Sequence, residues 1–321
     1  LLDKYGSIEN IVKADTKITP KNFFTAVEGD NSTSKCSNIG LILQQYSAYL
    51  EAKKPDAVIC IGDRFEMLGC AMSTYLNNIP LIHIQGGEKS GTLDDRTRNA
   101  ITKLSNYHFV SNLDAKEKLI SIGESDKNIF ISGCPGVDNN YEKDISKIDD
   151  LLKNIGTGEY SSNKFVKGNF FVVLYHPDTE LPENDVLFVE RIYESIKNSA
   201  FQILWLWPNI DKGASKIVKK IKNIHLKNSS KAQIKFIKSI DPISYSNILG
   251  RAKLLIGNSS SFVREASYIG TPVILTGKRQ SGRLKGSNII NVIDPDELNE
   301  KLIEKYSKKD KIKDQGIYGL P

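Results

Sequence analysis

Carboxylate side chains are concentrated in the stretch from Leu81 to Asp95, LIHIQGGEKSGTLDD, and at Asp63 after another apolar run. Carboxylates held close together repel one another, which raises the pKa of some of them and lets one keep a proton near neutral pH. We therefore interpret Asp63 and Asp94 as a candidate general base and general acid, with Glu88 between them in sequence. The glycines of the stretch let the backbone approach a bulky ligand.

A structural interpretation of the same acids stays open at this point. Asp63 and Arg64 are adjacent and can form a local ion pair. Asp94 and Asp95 can cap the start of a helix. Arg64, His83 and Gln85 lie beside the acids at the ends of the same apolar runs, so we count them as candidate substrate-binding residues.

A second group of polar residues is found in IGNSSSFVREA, residues 256–266. A strand, a Gly-Asn-Ser-Ser-Ser turn and a helix would place free N–H groups and the hydroxyls of Ser259 and Ser260 at a helix start, where phosphates bind. Glu265 would then face a neutral diol such as ribose. The alternative is an N-cap with more polar groups than it needs.

Four further candidates belong to the same half of the chain. His176 precedes a proline at a strand end, and Asn209 ends another strand. A lone histidine is more often structural, but at a strand end near a phosphate site it is a candidate pyrophosphate donor. The basic run GKRQSGR contributes Arg279 and Arg283, for which a solvated loop is the alternative.

Short apolar runs alternate with amphipathic segments of helix length, which predicts α/β architecture with parallel sheets. The predicted strands are 56–62, 80–84, 107–111, 128–133, 169–177, 201–209, 232–240, 252–260, 271–277 and 287–293. The predicted helices are 64–78, 94–105, 112–123, 182–198, 211–223, 242–249 and 260–270.

The polar stretch 134–167 is interpreted as a linker between two domains, residues 1–150 and 151–321. Each would be a doubly wound sheet of the Rossmann type, and ligands would bind in a cleft between them, at the carboxyl ends of the strands. All the candidate residues above fall at such ends.

Composition narrows the class of protein. The chain has 321 residues, 40% of them apolar, and a net charge of +6. No apolar run reaches the ~18 residues of a membrane span, and no signal peptide is recognised. The lysines follow helix faces without stacking aromatics, which argues against nucleic acid binding. The four cysteines lack metal-site spacing and indicate a reducing, cytoplasmic setting.

Together, GDRFEML, IPLIHIQGGEKSGTLDDRTRNAITKLSNYHFVS, YHPDT, WPNID, GNSSSFVREASYIGTPVIL and GKRQSGR resemble the UDP-N-acetylglucosamine 2-epimerases, especially their hydrolysing branch. The resemblance implies the two-domain GT-B-like fold and elimination of UDP from a UDP-sugar through 2-acetamidoglucal. Hydration then gives N-acetylmannosamine, the precursor for sialic acid. It implies no metal or other cofactor, and a homodimer or larger homo-oligomer.

Position by position, the resemblance implies catalytic roles for Asp63 and Asp94, with Arg98 in the site. It implies that His176 acts on the nucleotide side. Ribose and phosphate would contact Ser259, Ser260 and Glu265. Asn209 and Arg279 match the family less closely. Many members carry a catalytic glutamate where this chain has Gln85, so we expect either that the role passes to Glu88 or that this position only orients the substrate.

The termini also differ from the family pattern. Members begin with a strand leading to a GTR or GSR loop and end with a helix that returns to the first domain. We expect the N-terminal strand and the C-terminal helix to be missing, as in a fragment of a longer chain.

Four alternatives remain. A non-hydrolysing 2-epimerase would keep UDP on the product, and the residues of the GDRFE and GTLDD motifs argue against it. A hydrolysing enzyme of a diacetamido UDP-sugar would differ only in pocket residues. A GT-B glycosyltransferase would need an acceptor site. A catalytically inactive binder of UDP-sugars would fit Gln85 and the missing termini.

Overall fold

A computed structural model describes residues 12–13, 16–27, 29, 31–138, 169–178, 182–209, 213–226, 232–237, 240, 242–312 and 316–319. The chain forms two compact units, residues 1–134 and 135–321. The division expected after residue 150, and most of the expected linker, lie outside the described residues.

Unit 1 is a parallel α/β unit whose strands follow one another in the order β1-β2-β3-β4. Its strands are β1 Val58–Ile61, β2 Leu81–Ile84, β3 Tyr107–Val110 and β4 Ile129–Ile131. Its helices are α1 Ser32–Lys53, α2 Phe65–Leu76, α3 Asp94–Leu104 and α4 Leu113–Ser121. Asn31 caps α1 and Asn112 caps α4, each accepting an N–H of the first turn.

The core of unit 1 lies on one face of its sheet. Val58 and Cys60 of β1 pack with Leu81 and with helix side chains, whereas Ile59 and Ile61 of the same strand are 59% and 53% exposed. Right-handed connections between strands laid down in one direction put every helix on the same side. The side chains that carry chemistry must therefore come from the strand ends and the connecting loops.

Unit 2 is a six-stranded parallel sheet in the order β10-β9-β8-β5-β6-β7. Its strands are β5 Phe170–Leu174, β6 Gln202–Leu206, β7 Ile234–Ile237, β8 Leu254–Gly257, β9 Val273–Thr276 and β10 Ile289–Val292. Its helices are α5 Asp185–Ile196, α6 Ala214–Leu226, α7 Pro242–Arg251, α8 Arg264–Ile269 and α9 Glu300–Ser307.

The strand order of unit 2 is that of a Rossmann fold. In that fold the direction in which strands are added to the parallel sheet reverses between the first and the fourth strand. Here those strands are β5 and β8, which pair directly. Every residue of β5, β8 and β9 is buried, as expected for a parallel sheet covered on both faces. The edge where β5 and β8 end is the position at which such folds bind ligands.

All ten predicted strands are present, each within the bounds expected from the sequence. They are shorter because the polar residues at their ends leave the sheet. Helix α1 was not predicted, and α9 was expected only as a lysine-bearing helix face. The helix expected over 260–270 is divided into a 3₁₀ turn, Ser260–Phe262, and α8.

Gly87 lies where the acid-rich loop crosses the start of α4. It has φ +80°, and a Cβ there would collide with the carbonyl group of Ala115. A side chain would meet both a strained backbone conformation and backbone atoms that cannot give way. Gly40 is exposed in the middle of α1, and a Cβ added there would meet no atom within 4 Å.

We expect Gly87→Ala to lower the free energy of unfolding by about 2–4 kcal/mol. Gly40→Ala should raise it by about 0.5–1 kcal/mol, because alanine favours a helix. Urea unfolding of both variants beside the unmodified chain measures the two changes. An unchanged midpoint for Gly87→Ala would contradict the close approach of the loop to α4.

Candidate active site

Arg98 connects the acidic residues of unit 1. Its side chain is 1% exposed and pairs with Asp63 at the end of β1 and with Asp95 Oδ1 at 2.6 Å. The same guanidinium donates to the backbone carbonyl of Glu88. Burial opposes its charge, but Asp63 and Asp95 raise the pKa of Arg98 overall. The group is therefore a fixed cation around which the loop is arranged.

Asp95 holds the loop in place. It accepts hydrogen bonds from Ser90 N at 2.7 Å, Ser90 Oγ at 2.6 Å and Gly91 N at 2.8 Å, besides the bond from Arg98. Burial would raise the pKa of Asp95, but these hydrogen bonds lower it overall. An ionised carboxylate so fully engaged positions its neighbours and is not a proton carrier. Asp94 was the acid predicted from the sequence, and Asp95 was considered only as part of a cap of the helix.

The other acids of the site differ in their exposure and in their hydrogen-bond partners. The Asp63 carboxylate is 26% exposed beside Arg98. Glu88 is 6% exposed and accepts a bond from Ser111 Oγ at 2.8 Å. Asp94 opens α3 and accepts a bond from Thr92 Oγ1 at 3.3 Å. Arg98 thus connects the Asp63 carboxylate to the backbone of Glu88, and Asp94 follows the same loop.

His83 is fully buried beneath this site. Its Nε2 lies 2.9 Å from the Gly62 carbonyl oxygen, and its Nδ1 lies 3.0 Å from Thr102 Oγ1. Since a carbonyl only accepts, Nε2 carries the hydrogen and Thr102 donates to Nδ1. Burial lowers the pKa of His83 to about 4. With both nitrogens engaged, His83 holds the turn before Asp63, a placement that favours a positioning role over the expected substrate contact.

Gln85 and Arg64 have local partners. Gln85 has φ +66°, rare for a residue with a side chain, and its Nε2 donates to Cys134 Sγ at 3.2 Å. Arg64 is half exposed and pairs with Glu66 at 3.1 Å. The local ion pair considered for Asp63 and Arg64 is therefore replaced by two pairs, Asp63 with Arg98 and Arg64 with Glu66.

In unit 2, the carboxyl ends of β5 and β8 are joined by Asn258. Its Oδ1 accepts His176 N at 2.6 Å and its Nδ2 donates to His176 O at 2.8 Å. Gly257, just before it, has φ +142°, and a Cβ there would collide with the Leu174 carbonyl. The turn of GNSSS therefore fixes the histidine. Asn258 was not among the predicted residues, although it lies in that quoted motif.

His176 is held as a neutral donor. The backbone N–H of Asn209 donates to its Nδ1 at 3.0 Å, so Nε2 carries the hydrogen. Burial, followed by the positive charge of Arg279, lowers the pKa of His176 well below its ordinary value. Asn209 contributes its backbone to this arrangement, and its side chain is exposed.

The serine turn and the start of α8 carry a cluster of polar side chains. Ser259 Oγ lies 2.8 Å from Ser261 Oγ, and Arg264 donates to Ser260 Oγ at 3.1 Å. Within the part of the chain that the structure describes, the buried Oε2 of Glu265 has no hydrogen-bond partner. A buried carboxylate oxygen without a donor is suited to accept the hydroxyls of a ligand.

The basic run after β9 packs against this turn. Arg279 Nη1 and Gln280 Nε2 donate to the Asn258 carbonyl oxygen at 3.4 and 3.2 Å. Gln280 is 1% exposed and Arg283, which donates to it, is 9% exposed. These hydrogen bonds and this burial favour a loop packed against the turn over the solvated loop considered from the sequence.

The described residues contain no group of three or more His, Cys, Asp or Glu side chains arranged to hold a metal ion. Among their helices none combines the length and apolar character needed to cross a bilayer.

Two Rossmann-like units of parallel strands define a two-domain α/β protein of the GT-B-like class. Solved UDP-N-acetylglucosamine 2-epimerases share this fold. The Methanocaldococcus jannaschii enzyme in complex with UDP-GlcNAc and UDP superposes with TM-score 0.79, 20% identity, and coverage of 99% of this chain and 86% of that one. The Neisseria meningitidis enzyme bound to UDP-GlcNAc gives 0.76 and 17%, covering 97% and 85%.

The chain belongs to the UDP-N-acetylglucosamine 2-epimerase family, whose model matches residues 7–319. It is 31% identical, over 98% of its length and 81% of the relative's, to a Legionella pneumophila UDP-N,N'-diacetylbacillosamine 2-epimerase (hydrolyzing). It is 32% identical to a Campylobacter jejuni GDP/UDP-N,N'-diacetylbacillosamine 2-epimerase (hydrolyzing), over 96% and 79%. It is 31% identical to a Neisseria meningitidis UDP-N-acetylglucosamine 2-epimerase, over 84% and 67%.

The lowered pKa of His83 predicts how stability depends on pH. Between the ordinary value of 6.5 and about 4, the unfolded chain binds a proton that the folded chain does not. Stability contributed by neutral His83 is therefore complete above pH 6.5, falls as the pH drops to about 4, and then levels off. A pKa lowered this far corresponds to about 3 kcal/mol.

We expect His83→Gln to remove most of this loss. Urea unfolding at pH 7 and pH 4.5 should give a smaller difference for the variant than for the unmodified chain. His108 and His176, whose pKa values burial also lowers, contribute equally to both proteins. Equal differences in the two proteins would contradict a buried neutral His83.

Proposed function

We propose that the chain is a hydrolysing 2-epimerase of a UDP-linked 2-acetamido sugar, which releases UDP and the free C2-epimeric sugar. The observation that carries the proposal is the Asp63–Arg98 pair, with the acid-rich loop of Glu88 fixed on the same guanidinium. This arrangement gives a partly exposed carboxylate a fixed position and a permanent cation beside it. A carboxylate that is fixed in position and open to a ligand can accept a proton from carbon.

The relatives guide the choice of sugar. Sequence analysis favoured UDP-N-acetylglucosamine, with a diacetamido UDP-sugar as an alternative. Two of the relatives carry the name of UDP-N,N'-diacetylbacillosamine 2-epimerases, at 31% and 32% identity. We therefore take that diacetamido sugar nucleotide as the first substrate. UDP-N-acetylglucosamine is the second candidate, favoured by a relative of that name at 31% identity.

In the proposed reaction Asp63 removes the proton from C2 of the sugar. The electrons of that C–H bond form a C1–C2 double bond, and UDP leaves C1 with its bonding electron pair. Water then adds to the glucal, its oxygen at C1 and a proton at C2 on the opposite face. Glu88 and Asp94 are the acids available to return that proton. Substrate and water are thus converted to UDP and the epimer.

Unit 2 supplies the nucleotide site in this proposal. Neutral His176 donates its Nε2 hydrogen to the pyrophosphate, and Arg279 adds a positive charge for the leaving group. The unpartnered oxygen of Glu265 accepts the ribose hydroxyls. The hydroxyls of Ser259 and Ser260 bind phosphate oxygens.

The products distinguish the proposed reaction from its rivals. Incubation with each UDP-sugar in heavy water, followed by proton NMR, should show UDP and a free 2-epimer with deuterium at C2. An epimer that still carries UDP would mean a non-hydrolysing enzyme. Sugar transferred to an added acceptor would mean a glycosyltransferase. UDP binding without turnover of either sugar nucleotide would mean a binding protein.

Two substitutions should separate the chemistry from nucleotide binding. We expect Asp63→Asn to reduce turnover at least 100-fold, because an amide cannot accept the C2 proton, while the Kd for UDP stays within twofold. His176→Ala should instead weaken UDP about 10-fold, through a lost charge-assisted hydrogen bond. Calorimetry with UDP and a UDP-release assay measure both quantities.

Asp126→Asn removes an exposed carboxylate of the same unit, whose partner is Lys116, and serves as the control for loss of charge. Its turnover and UDP affinity should match those of the unmodified chain. Full turnover by Asp63→Asn would refute the base assignment, and unaltered UDP affinity in His176→Ala would refute the nucleotide role.

A further inference from the structure

Tyr245 of α7 begins a line of hydroxyl groups that ends at the serine turn. Its hydroxyl oxygen lies 2.6 Å from Ser261 Oγ, which lies 2.8 Å from Ser259 Oγ. The backbone N–H of Ser261 also donates to Ser259 Oγ, at 3.4 Å. Neither Tyr245 nor Ser261 has a role in the function proposed above.

The direction of this line decides what Ser259 offers a ligand. A serine hydroxyl has one hydrogen to donate and two lone pairs to accept with. If Tyr245 donates to Ser261 and Ser261 donates to Ser259, both lone pairs of Ser259 are engaged, because the N–H of Ser261 uses the second. The Ser259 hydrogen is then the group left for a ligand, and only an acceptor can bind it.

The surroundings of Tyr245 keep its hydrogen in place. Burial raises the pKa of Tyr245 by more than its hydrogen bonds with the serines lower it, and the nearby Glu265 carboxylate adds to the increase. A phenol that keeps its hydrogen is available as the first donor of the line. Hydrogen bonds in such a chain polarise one another, so the last hydroxyl becomes a stronger donor.

We propose that Tyr245 is a positioning residue which, through Ser261, fixes the Ser259 hydroxyl as a donor to a phosphate group of the bound nucleotide. The proposal rests on the proposed function, since it assumes that the serine turn receives a nucleoside diphosphate. It assigns Tyr245 no contact with the nucleotide itself. The effect of Tyr245 should therefore depend on the phosphates and not on the nucleoside.

Binding of UDP and of uridine to Tyr245→Phe provides the test, because the substitution removes one oxygen and keeps the ring. We expect the variant to bind UDP about 5- to 10-fold more weakly, the loss typical of one hydrogen bond. Its affinity for uridine, measured by NMR titration, should stay within twofold. Tyr268→Phe, a matched change in α8, should alter neither affinity.

A double-mutant comparison tests the route through Ser261. Ser261→Ala should reproduce the loss of UDP affinity, and the double variant with Tyr245→Phe should lose no more than either single variant, because both changes break one chain. Additive losses would overturn the route. Equal weakening of UDP and uridine by Tyr245→Phe, or no weakening of UDP, would overturn the positioning role.

The failure of this inference is distinguishable from failure of the proposed function. An unmodified chain that releases UDP from a UDP-sugar and binds UDP, beside a Tyr245→Phe variant of equal UDP affinity, refutes the inference alone. An unmodified chain that binds no UDP refutes both.

Discussion

The charge of a buried arginine organises unit 1. Taking a guanidinium out of water costs several kcal/mol, and only closely placed acceptors offset that cost. Arg98 obtains them from three directions: the carboxylate after β1, the carboxylate in the first turn of its own helix and a carbonyl of the loop after β2. One side chain thereby fixes the relative positions of three segments that are distant in sequence. Removing one acceptor would leave part of that charge without compensation, so the arrangement constrains all three segments together.

An amide has the corresponding position in unit 2. The Asn258 side chain makes two bonds with the backbone of His176, joining β5 to β8 where the sheet order reverses. It leaves the imidazole free to accept from Asn209 and to keep its hydrogen on Nε2. The two units therefore hold their candidate residues in place by different interactions. In unit 1 a buried cation pairs with two carboxylates, and in unit 2 a neutral amide fixes the backbone of a histidine.

The sequence predicted what depends on local pattern. Apolar runs located all ten strands, and the turn residues after them placed the candidate side chains at the carboxyl ends. It could not predict which atoms meet. Whether Asp94 or Asp95 faces Arg98 depends on where α3 begins, and a shift of one residue rotates a side chain by about 100°. His83 and Asn258 acquire their roles from carbonyl groups just after other strands, those of Gly62 and His176. Tyr245 acquires its role from a hydroxyl 16 residues away. Such partners are set by strand register and helix packing.

Where the resemblance predicts a glutamate, this chain has Gln85, and other carboxylates remain in the candidate site. The backbone of Gln85 has φ +66°, a conformation that costs about 1–3 kcal/mol in a residue with a side chain. Its side-chain N–H₂ donates to the sulfur of Cys134, a hydrogen bond that an ionised glutamate could not donate. A neutral side chain in that place moves no proton, so in the proposed reaction proton transfer falls to carboxylates held by other means. Asp63, held by Arg98, and Glu88, held by Ser111, meet that requirement, and both reach their positions through bonds that do not involve Gln85.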